Sequence, residues 1–213
     1  MIDSLVTFIV GMAGGNAALA IVVFTLAVRL AILPLSVKQA RSAKLKERLA
    51  PKLRELQKRH GRNPERLSRE LTALYAKEGS SPFAGILPGL AQLPFMWVMF
   101  RVATHPTALA GHYLFGAPLG QPIAGVVAGY GLLSWPFLVF ALLIVATALV
   151  AWWSSRRITV TEDQPAWMRR LLPALPFTSV LAALWLPLAA GLYLLVSTTW
   201  ATTERAVLAG RAG

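Results

Sequence analysis

The sequence predicts an all-α polytopic membrane protein, and three observations support that prediction. First, 56% of the 213 residues are hydrophobic, 14% are charged and the mean hydropathy is +0.58, a profile typical of helical chains that cross a bilayer several times. Second, uncharged runs of 22 to 54 residues alternate with basic segments. Third, most of the formal net charge of +12 lies in one such segment. A water-soluble domain is excluded, and the absence of cysteine excludes a disulfide framework.

The first predicted span, residues 16–37, follows an interfacial N-terminal segment, residues 1–15, in which glycines interrupt the apolar run. Ser4 to Val28 are 25 consecutive residues without a charge, more than the roughly 20 that a spanning helix needs. Arg29 then lies inside the span. An unpaired guanidinium near mid-membrane costs about 2.5–3.5 kcal/mol on insertion scales, so this arginine needs a structural or functional reason.

Two interpretations of Arg29 are open. If the embedded part runs only from about Ile21 to Leu35, the long side chain can reach the headgroups by snorkelling. Alternatively, Arg29 faces a wet cavity inside a helical bundle. Thr25 lies four residues before it and Ser36 seven after it, which places all three on one helical face. This polar stripe favours the wet cavity.

Residues 38–80 are predicted to form a cytoplasmic helical hairpin. Between Lys38 and Glu78, 13 basic residues stand against 5 glutamates, leaving +8, and the positive-inside rule places such a loop in the cytoplasm. The basic residues are Lys38, Arg41, Lys44, Lys46, Arg48, Lys52, Arg54, Lys58, Arg59, Arg62, Arg66, Arg69 and Lys77. The first span therefore runs from the outside to the inside.

Leucines within this segment recur with helical spacing, which predicts two amphipathic helices. They are Leu45, Leu49, Leu53 and Leu56, then Leu67, Leu71 and Leu74. Between the runs, Gly61 can end one helix, Asn63 can cap the next and Pro64 suits its first position. The alternative of a merely solvated charge run is disfavoured by this regularity. Base recognition is also disfavoured because only Tyr75 and His60 could stack, so anionic headgroups or a general attraction to ribosomal RNA fit better.

The second predicted span, residues 82–103, has one strong side-chain hydrogen bonder in its middle, Gln92. A buried glutamine of this kind more often bonds two helices than a ligand. Residues 104–132 are rich in Gly and Pro and predict an extracytoplasmic loop. His105 and His112 are interpreted there as loop residues and not as metal ligands, because no third ligand is evident nearby.

The third predicted span, residues 133–153, has tryptophans near both ends, as interfacial belts do. The arginines of residues 154–170 make the following loop cytoplasmic. The next 33 residues, Leu171 to Thr203, carry no charge.

That last run is long for one helix and short for two. A break at LPLAAG, around Pro187, divides it into spans at residues 171–187 and 188–204 and leaves residues 205–213 as a cytoplasmic tail. A single long helix would instead leave the tail outside. We favour two helices, which gives five spans.

Two segments, LAVRLAILPLSVKQ and LYAKEGSSPFAGILPGLAQLP, together resemble the YidC/Oxa1/Alb3 membrane-protein insertases. The shared pattern is an arginine in the first core helix, a Leu-Pro-Leu exit into Lys-Gln, and a Gly-x-x-Pro before a helix with Leu-Pro and Gln-x-Pro. The resemblance extends from about residue 15 to about residue 205. Its most specific residues are Arg29, Pro34, Lys38, Gln39, Tyr75, Gly79, Pro82, Pro88, Gln92 and Pro94.

The resemblance implies five transmembrane helices around a hydrophilic groove, open to the cytoplasm and to lipid but closed to the outside. Expected groove residues are Arg29, Thr25, Gln92, Thr147, Tyr193 and Ser197, and expected contact residues of the cytoplasmic hairpin are Lys38, Gln39, Arg59 and Arg62. The last helix of the family often has Leu-Tyr-Trp, whereas this chain has Leu192, Tyr193 and Leu194, with Trp200 further on. The resemblance therefore assigns no groove contact at the tryptophan position.

The implied activity is that of an insertase, which moves short polar tails of nascent membrane proteins across the bilayer and releases their apolar helices to lipid. It implies no enzymatic chemistry, cofactor or metal. Expected partners are nascent membrane proteins with acidic extracytoplasmic tails, membrane lipids, the Sec translocon and the ribosome, without a specific nucleic acid. The expected location is the bacterial plasma membrane, with the N-terminus outside and the C-terminus in the cytoplasm, in a compact bacterial form.

Two other classes stay open. A small solute or ion transporter would need coupling carboxylates in the membrane and often an internal repeat, but no Asp or Glu lies inside a predicted span and no repeat relates the halves. A passive scaffold would dock ribosomes or the translocon through its basic face. Insertion of a test substrate by the purified protein alone would separate an insertase from a scaffold.

Overall fold

The computed structural model describes residues 13–60, 63–78, 111–158 and 166–210, together with residues 11, 93, 97 and 109. The chain divides into two compact units, one formed by Ala31–Phe95 and the other by Met1–Leu30 with Met96–Gly213. The predicted second span, residues 82–103, lies almost entirely outside the described residues.

Helix α1, Ala17–His60, is one continuous α-helix of 44 residues. Asn16 caps it, since the Asn16 side-chain oxygen accepts a hydrogen bond from the backbone N–H of Leu19 at 3.0 Å. The sequence placed a change of segment at residue 38, but the helix does not end there. The residues that follow, mainly Ala, Lys, Arg, Leu and Glu, are strong helix formers, so the apolar helix continues directly into the basic segment.

Within the unit Ala31–Phe95, the basic segment folds into a helical hairpin. Helix α2, Pro64–Lys77, begins at Pro64, and the Asn63 side chain accepts a hydrogen bond from the backbone N–H of Arg66 at 3.1 Å. These two features confirm the predicted cap and first residue. Leu49 of α1 and Tyr75 of α2 are buried, and both helices line one cavity of about 220 Å³.

In the other unit, part of the predicted loop at residues 104–132 has regular structure. Strand β1, Tyr113–Leu114, pairs antiparallel with β2, Ala117–Pro118, and helix α3, Ile123–Tyr130, follows. Phe115 and Gly116 connect the strands with φ of 49° and 84°, as both central residues of a type I′ turn require. The sequence hid this turn because Phe115 stands where Asn or Asp is usual.

Helix α4, Trp135–Ser155, has two unlike faces. One face is buried and carries Phe140, Leu143, Thr147, Ala151 and Ser154. The other exposes large apolar side chains every three or four residues, namely Trp135, Leu138, Leu142, Val145, Leu149 and Trp152. An outward apolar stripe along a whole helix suits contact with lipid tails and not with water.

Residues 166–185 do not form one α-helix. Helix α5, Ala166–Leu171, passes into a 3₁₀ helix, Leu172–Phe177, and then into helix α6, Thr178–Trp185. Pro173 and Pro176 lack the N–H that an α-helical ladder needs, which accounts for the tighter 3₁₀ stretch. The predicted span at residues 171–187 therefore corresponds to 3₁₀ and α-helical pieces.

Helix α7, Leu188–Gly210, begins within LPLAAG, where the sequence predicted a break. The backbone N–H groups of Leu188 and Ala189 donate to the carbonyl oxygens of Gln121 at 3.1 Å and Leu119 at 3.0 Å. These bonds satisfy two of the four N–H groups that a helix start leaves without intrahelical partners. The start of α7 is thus fixed by the segment that precedes α3.

Helices α4 and α7 approach closely at Gly191, which is buried. A Cβ atom at this position would lie 2.9 Å from Leu143 Cδ2 and 3.9 Å from Ala183 Cβ. Small residues allow this kind of approach between helices in membranes. Phe140 and Leu188, which are among the most buried side chains, belong to the same apolar core.

Two described helical segments are long and apolar enough to cross a membrane. Ala17–Ser42 has 26 residues and contains an 18-residue window with a mean hydropathy of 2.4, and Trp135–Ser155 has 21 residues and contains such a window with a mean hydropathy of 2.3. With the outward apolar stripe of α4, they support a helical membrane protein. The number of spans and their boundaries stay predictions.

Candidate functional site around Arg29

Arg29 links α1 to α7. The Nη2 group of Arg29 donates a hydrogen bond to the side-chain oxygen of Ser197, which is buried. A hydrogen bond from a guanidinium is charge-assisted and roughly twice as strong as a neutral one. The side chain is therefore directed toward another helix.

The guanidinium also carries an unsatisfied donor. Arg29 Nε is buried and has no hydrogen-bond partner among the residues that the structure describes. An unsatisfied buried donor costs about 1–3 kcal/mol, so an acceptor that reached Nε would be bound favourably. Gln92, which was expected at this site, lies outside the described residues.

One face of α7 carries the other polar groups of this site. Tyr193, Ser197, Trp200 and Glu204 follow one another at spacings of four, three and four residues, which places them on a single helix face. Trp200 Nε1 donates to Glu204 Oε2 at 3.0 Å. Arg29 interacts electrostatically with Tyr193, Glu204 and Arg205. Of the two charged neighbours, the glutamate attracts Arg29 and the arginine repels it.

The sequence-based statement that no Asp or Glu lies inside a predicted span is wrong for Glu204. It is the last residue of the span predicted at residues 188–204, and α7 continues beyond it to Gly210. Its Oε1 is buried without a hydrogen-bond partner among the described residues. The sequence did contain a signal, because Trp200 and Glu204 are four residues apart on the Ser197 face.

The two threonines expected in the groove are buried, but their hydroxyls are used locally. Thr25 Oγ1 donates to the Ile21 carbonyl at 2.6 Å, and Thr147 Oγ1 donates to the Leu143 carbonyl at 2.8 Å. Each bond stays within its own helix, one turn back. Thr25 lies one turn before Arg29 on α1, whereas no described hydrogen bond joins Thr147 to Arg29.

The expected hairpin residues belong to the unit Ala31–Phe95. Lys38 and Gln39 are exposed on α1. Arg59, also exposed, forms an ion pair with Glu55 at 2.5 Å. Arg62 lies outside the described residues. Exposed ion pairs contribute little stability, so these residues leave the hairpin with a solvated basic surface.

The chemistry available around Arg29 is that of binding. Within the described part of the chain, the site offers a partly buried cation, one donor without a partner there, one buried carboxylate oxygen and a hydroxyl. Over the described part of the chain, no group of three or more His, Cys, Asp or Glu side chains could hold a metal ion. An acidic or hydrogen-bonding segment of another chain would find complementary groups here.

The fold and this site define a helical membrane protein with a charged polar site held between two of its helices. Residues 8–212 match the family described as 60Kd inner membrane protein. The chain belongs to this family, which is that of the YidC/Oxa1 proteins.

The names of similar proteins support the same family assignment. The chain is 30% identical to Membrane protein insertase YidC of Chlorobium limicola over 89% of this chain and 32% of that protein. It is 25% identical to Membrane protein insertase YidC 2 of Bacillus anthracis over 98% of this chain and 78% of the relative. It is 31% identical to Membrane protein insertase MisCA of Bacillus subtilis over 60% and 52% of the two chains. The chain thus spans about a third of the Chlorobium protein and about half of MisCA.

Proposed function

We propose that this chain is a membrane protein insertase. The observation that supports this most directly is the partly buried Arg29, bonded to Ser197 across two helices of a membrane protein whose relatives are named insertases. A cation in this setting is expensive unless it has a role. Attraction of an acidic or polar segment is a role that uses both its charge and its open Nε donor.

The first step is entry of a polar tail. We infer a hydrophilic groove between five spans, open to the cytoplasm and to lipid, which shortens the hydrocarbon distance that the tail must cross. Within it, Arg29 attracts acidic side chains of the tail, and the low dielectric strengthens that attraction relative to water. Ser197 orients the guanidinium, while Glu204 limits the net positive charge.

The second step is release of the apolar helix that follows the tail. The outward stripe of α4, with Leu138, Leu142 and Leu149 exposed, offers a lipid-facing flank along which such a helix can leave. Burial of its apolar surface in lipid provides roughly 25 cal/mol per Å². No nucleotide is required for this cycle.

The setting is a bacterial plasma membrane, with the N-terminus outside and the basic hairpin and C-terminus in the cytoplasm. Clients are nascent membrane proteins with acidic extracytoplasmic tails. The basic hairpin, with Lys38, Gln39, Arg59 and Arg62 as its expected contact residues, receives clients and contacts lipid headgroups, the Sec translocon or the ribosome. Its net charge of +8 suits all of these acidic surfaces.

Reconstitution tests the proposal. The purified full chain is placed in liposomes, and a short single-span protein with an acidic N-terminal tail is added. We expect the tail to become protected from external protease, whereas protein-free liposomes give no protection. Absence of protection by the purified chain, with protection restored by a translocon, would replace the insertase with a docking scaffold.

Glu204→Gln provides a test of the charge balance at the site. The glutamine keeps an oxygen that can accept from Trp200 Nε1, but it removes the negative charge near Arg29. We expect protection of an acidic tail to accelerate by about fivefold, since charges in this setting interact by on the order of 1 kcal/mol. A tail without acidic residues should be inserted at the unchanged rate. Equal acceleration of both tails would show that the effect is not electrostatic.

A further inference from the structure

A second cationic site lies at the end of α4, on a different side of α7 from Ser197. Thr198, Thr202 and Arg205 share one face of α7. This face is turned by about 100° from the face of Ser197, because consecutive helical residues are about 100° apart. This face borders two adjoining cavities, neither of which is lined by Arg29. Its cavities therefore differ from the site described above, although Arg205 also interacts electrostatically with Arg29.

The two cavities have different linings. The larger, of about 430 Å³, is walled mainly by apolar side chains of α4 and the 3₁₀ helix, including Val150, Leu172, Leu175 and Pro176. The smaller, of about 210 Å³, is bordered by Arg157 and Arg205. Four residues line both cavities: Ser154, Ile158, Thr202 and Arg205. Together they form one cleft with an apolar part and a cationic part.

Among the residues that the structure describes, no carboxylate holds the arginines of this cleft in place. The guanidinium of Arg157 lies over the ring of Trp153, 5.0 Å from its centroid. Arg205 Nε donates to the backbone carbonyl of Ala201 at 3.0 Å. No Asp or Glu occurs among the described residues that line either cavity. Two guanidinium groups beside one cavity of this size therefore attract an anion.

The level of the cleft relative to the membrane indicates which kind of anion it binds. Trp152 and Trp153 end the apolar length of α4, and tryptophans of this kind mark the level of lipid headgroups. The arginines stand at that level, while the apolar walls extend along the membrane-embedded part of α4. Phosphate suits the fork geometry of guanidinium, and basic pockets between spans on the cytoplasmic side bind anionic lipid headgroups.

We propose that this cleft is a binding site for one anionic phospholipid. Arg157 and Arg205 hold its phosphate, and an acyl chain occupies the apolar part beside Leu172 and Leu175. The site does not depend on the insertase activity, and its test uses binding alone.

Native mass spectrometry of the purified full chain in detergent tests the site, with phosphatidylglycerol and phosphatidylcholine titrated separately. We expect the chain to retain one phosphatidylglycerol in preference to phosphatidylcholine. Neutralising both arginines, as Arg157→Gln with Arg205→Gln, should weaken retention by about 30-fold, because each basic side chain near a lipid surface contributes about fivefold. Arg157→Lys with Arg205→Lys, which keeps the charge, should retain most of the binding if the variants are folded.

The chain offers a matched control in Arg156. Its guanidinium lies over Trp152, 4.6 Å from the ring centroid, but it lines neither cavity. Arg169 of α5 also lines neither cavity. Arg156→Gln with Arg169→Gln removes the same charge, and we expect it to leave phosphatidylglycerol retention unchanged. An equal loss in this control pair would overturn the proposal in favour of a general surface effect.

Two further results would overturn it. Equal retention of phosphatidylcholine would indicate an apolar cleft that accepts any hydrocarbon chain, including the helix of a client protein. Displacement of the lipid by glycerol 3-phosphate at equal concentration would indicate an anion site without an acyl subsite.

Discussion

Arg29→Glu is expected to abolish insertion of a client with an acidic tail. The substitution places a negative charge beside Ser197, where Arg29 now donates a hydrogen bond, and it leaves Glu204 without its attracting cation. Arg29→Ala should reduce the rate of protease protection by about tenfold to a hundredfold, since bonds to charged groups are worth about 1.5–3 kcal/mol. Arg29→Lys should keep much of the activity, because charge matters here more than fork geometry.

Ser197→Ala and a neutral client serve as controls for this series. Ser197→Ala removes the acceptor of the Arg29 hydrogen bond but keeps the cation, so we expect a much smaller loss of rate than Arg29→Ala causes, because the charge that attracts the acidic tail is retained. A client whose tail lacks acidic residues should respond weakly to every variant at position 29. Equal activity of Arg29→Ala and the wild type on the acidic tail would contradict the proposed role and return Arg29 to a snorkelling residue.

The sequence singled out Arg29 as the main residue of this candidate site, but not all of its neighbours. Arg29 stood out because a charge inside an apolar run has a known cost, and Ser197 was expected nearby only through the family resemblance. Glu204 was missed because it lies at the end of the uncharged run and was counted as a boundary. Hydrogen bonds across 168 residues depend on how helices pack, and spacing along one helix carries no information about that.

Helix ends were predictable where the chain provides a local signal. Asn63 with Pro64 fixed the start of α2, and the break predicted at LPLAAG coincides with the start of α7. Near residue 38 the signal fails: Pro34 lies inside α1 without ending it, and Lys38, Gln39 and Ala40 continue the helix as well as the apolar residues before them. Membrane boundaries therefore need not coincide with helix boundaries. The spans predicted from charge describe which residues lie within the membrane and not where a helix begins or ends.

Gly191→Leu is expected to destabilise the packing of α4 against α7. Even a Cβ at this position would lie 2.9 Å from Leu143 Cδ2, and a full leucine side chain has no space between the two helices. Overpacking of this kind costs about 1–3 kcal/mol, which should appear as a lower unfolding temperature by intrinsic tryptophan fluorescence in detergent. Gly191→Ala should cost less than about 1 kcal/mol, because the end of the Leu143 side chain can rotate away.

A second glycine and a second substitution make this prediction specific. Gly129 in α3 has no described atom within 4 Å of an added Cβ, so Gly129→Leu should leave the unfolding temperature unchanged or raise it slightly through better helix propensity. Leu143→Ala opens space opposite Gly191, and the double variant should be more stable than the sum of the two single effects predicts, by at least about 1 kcal/mol. Strict additivity would mean that the leucine at 191 does not press on Leu143. The close approach of α4 and α7 would then depend on contacts other than this one.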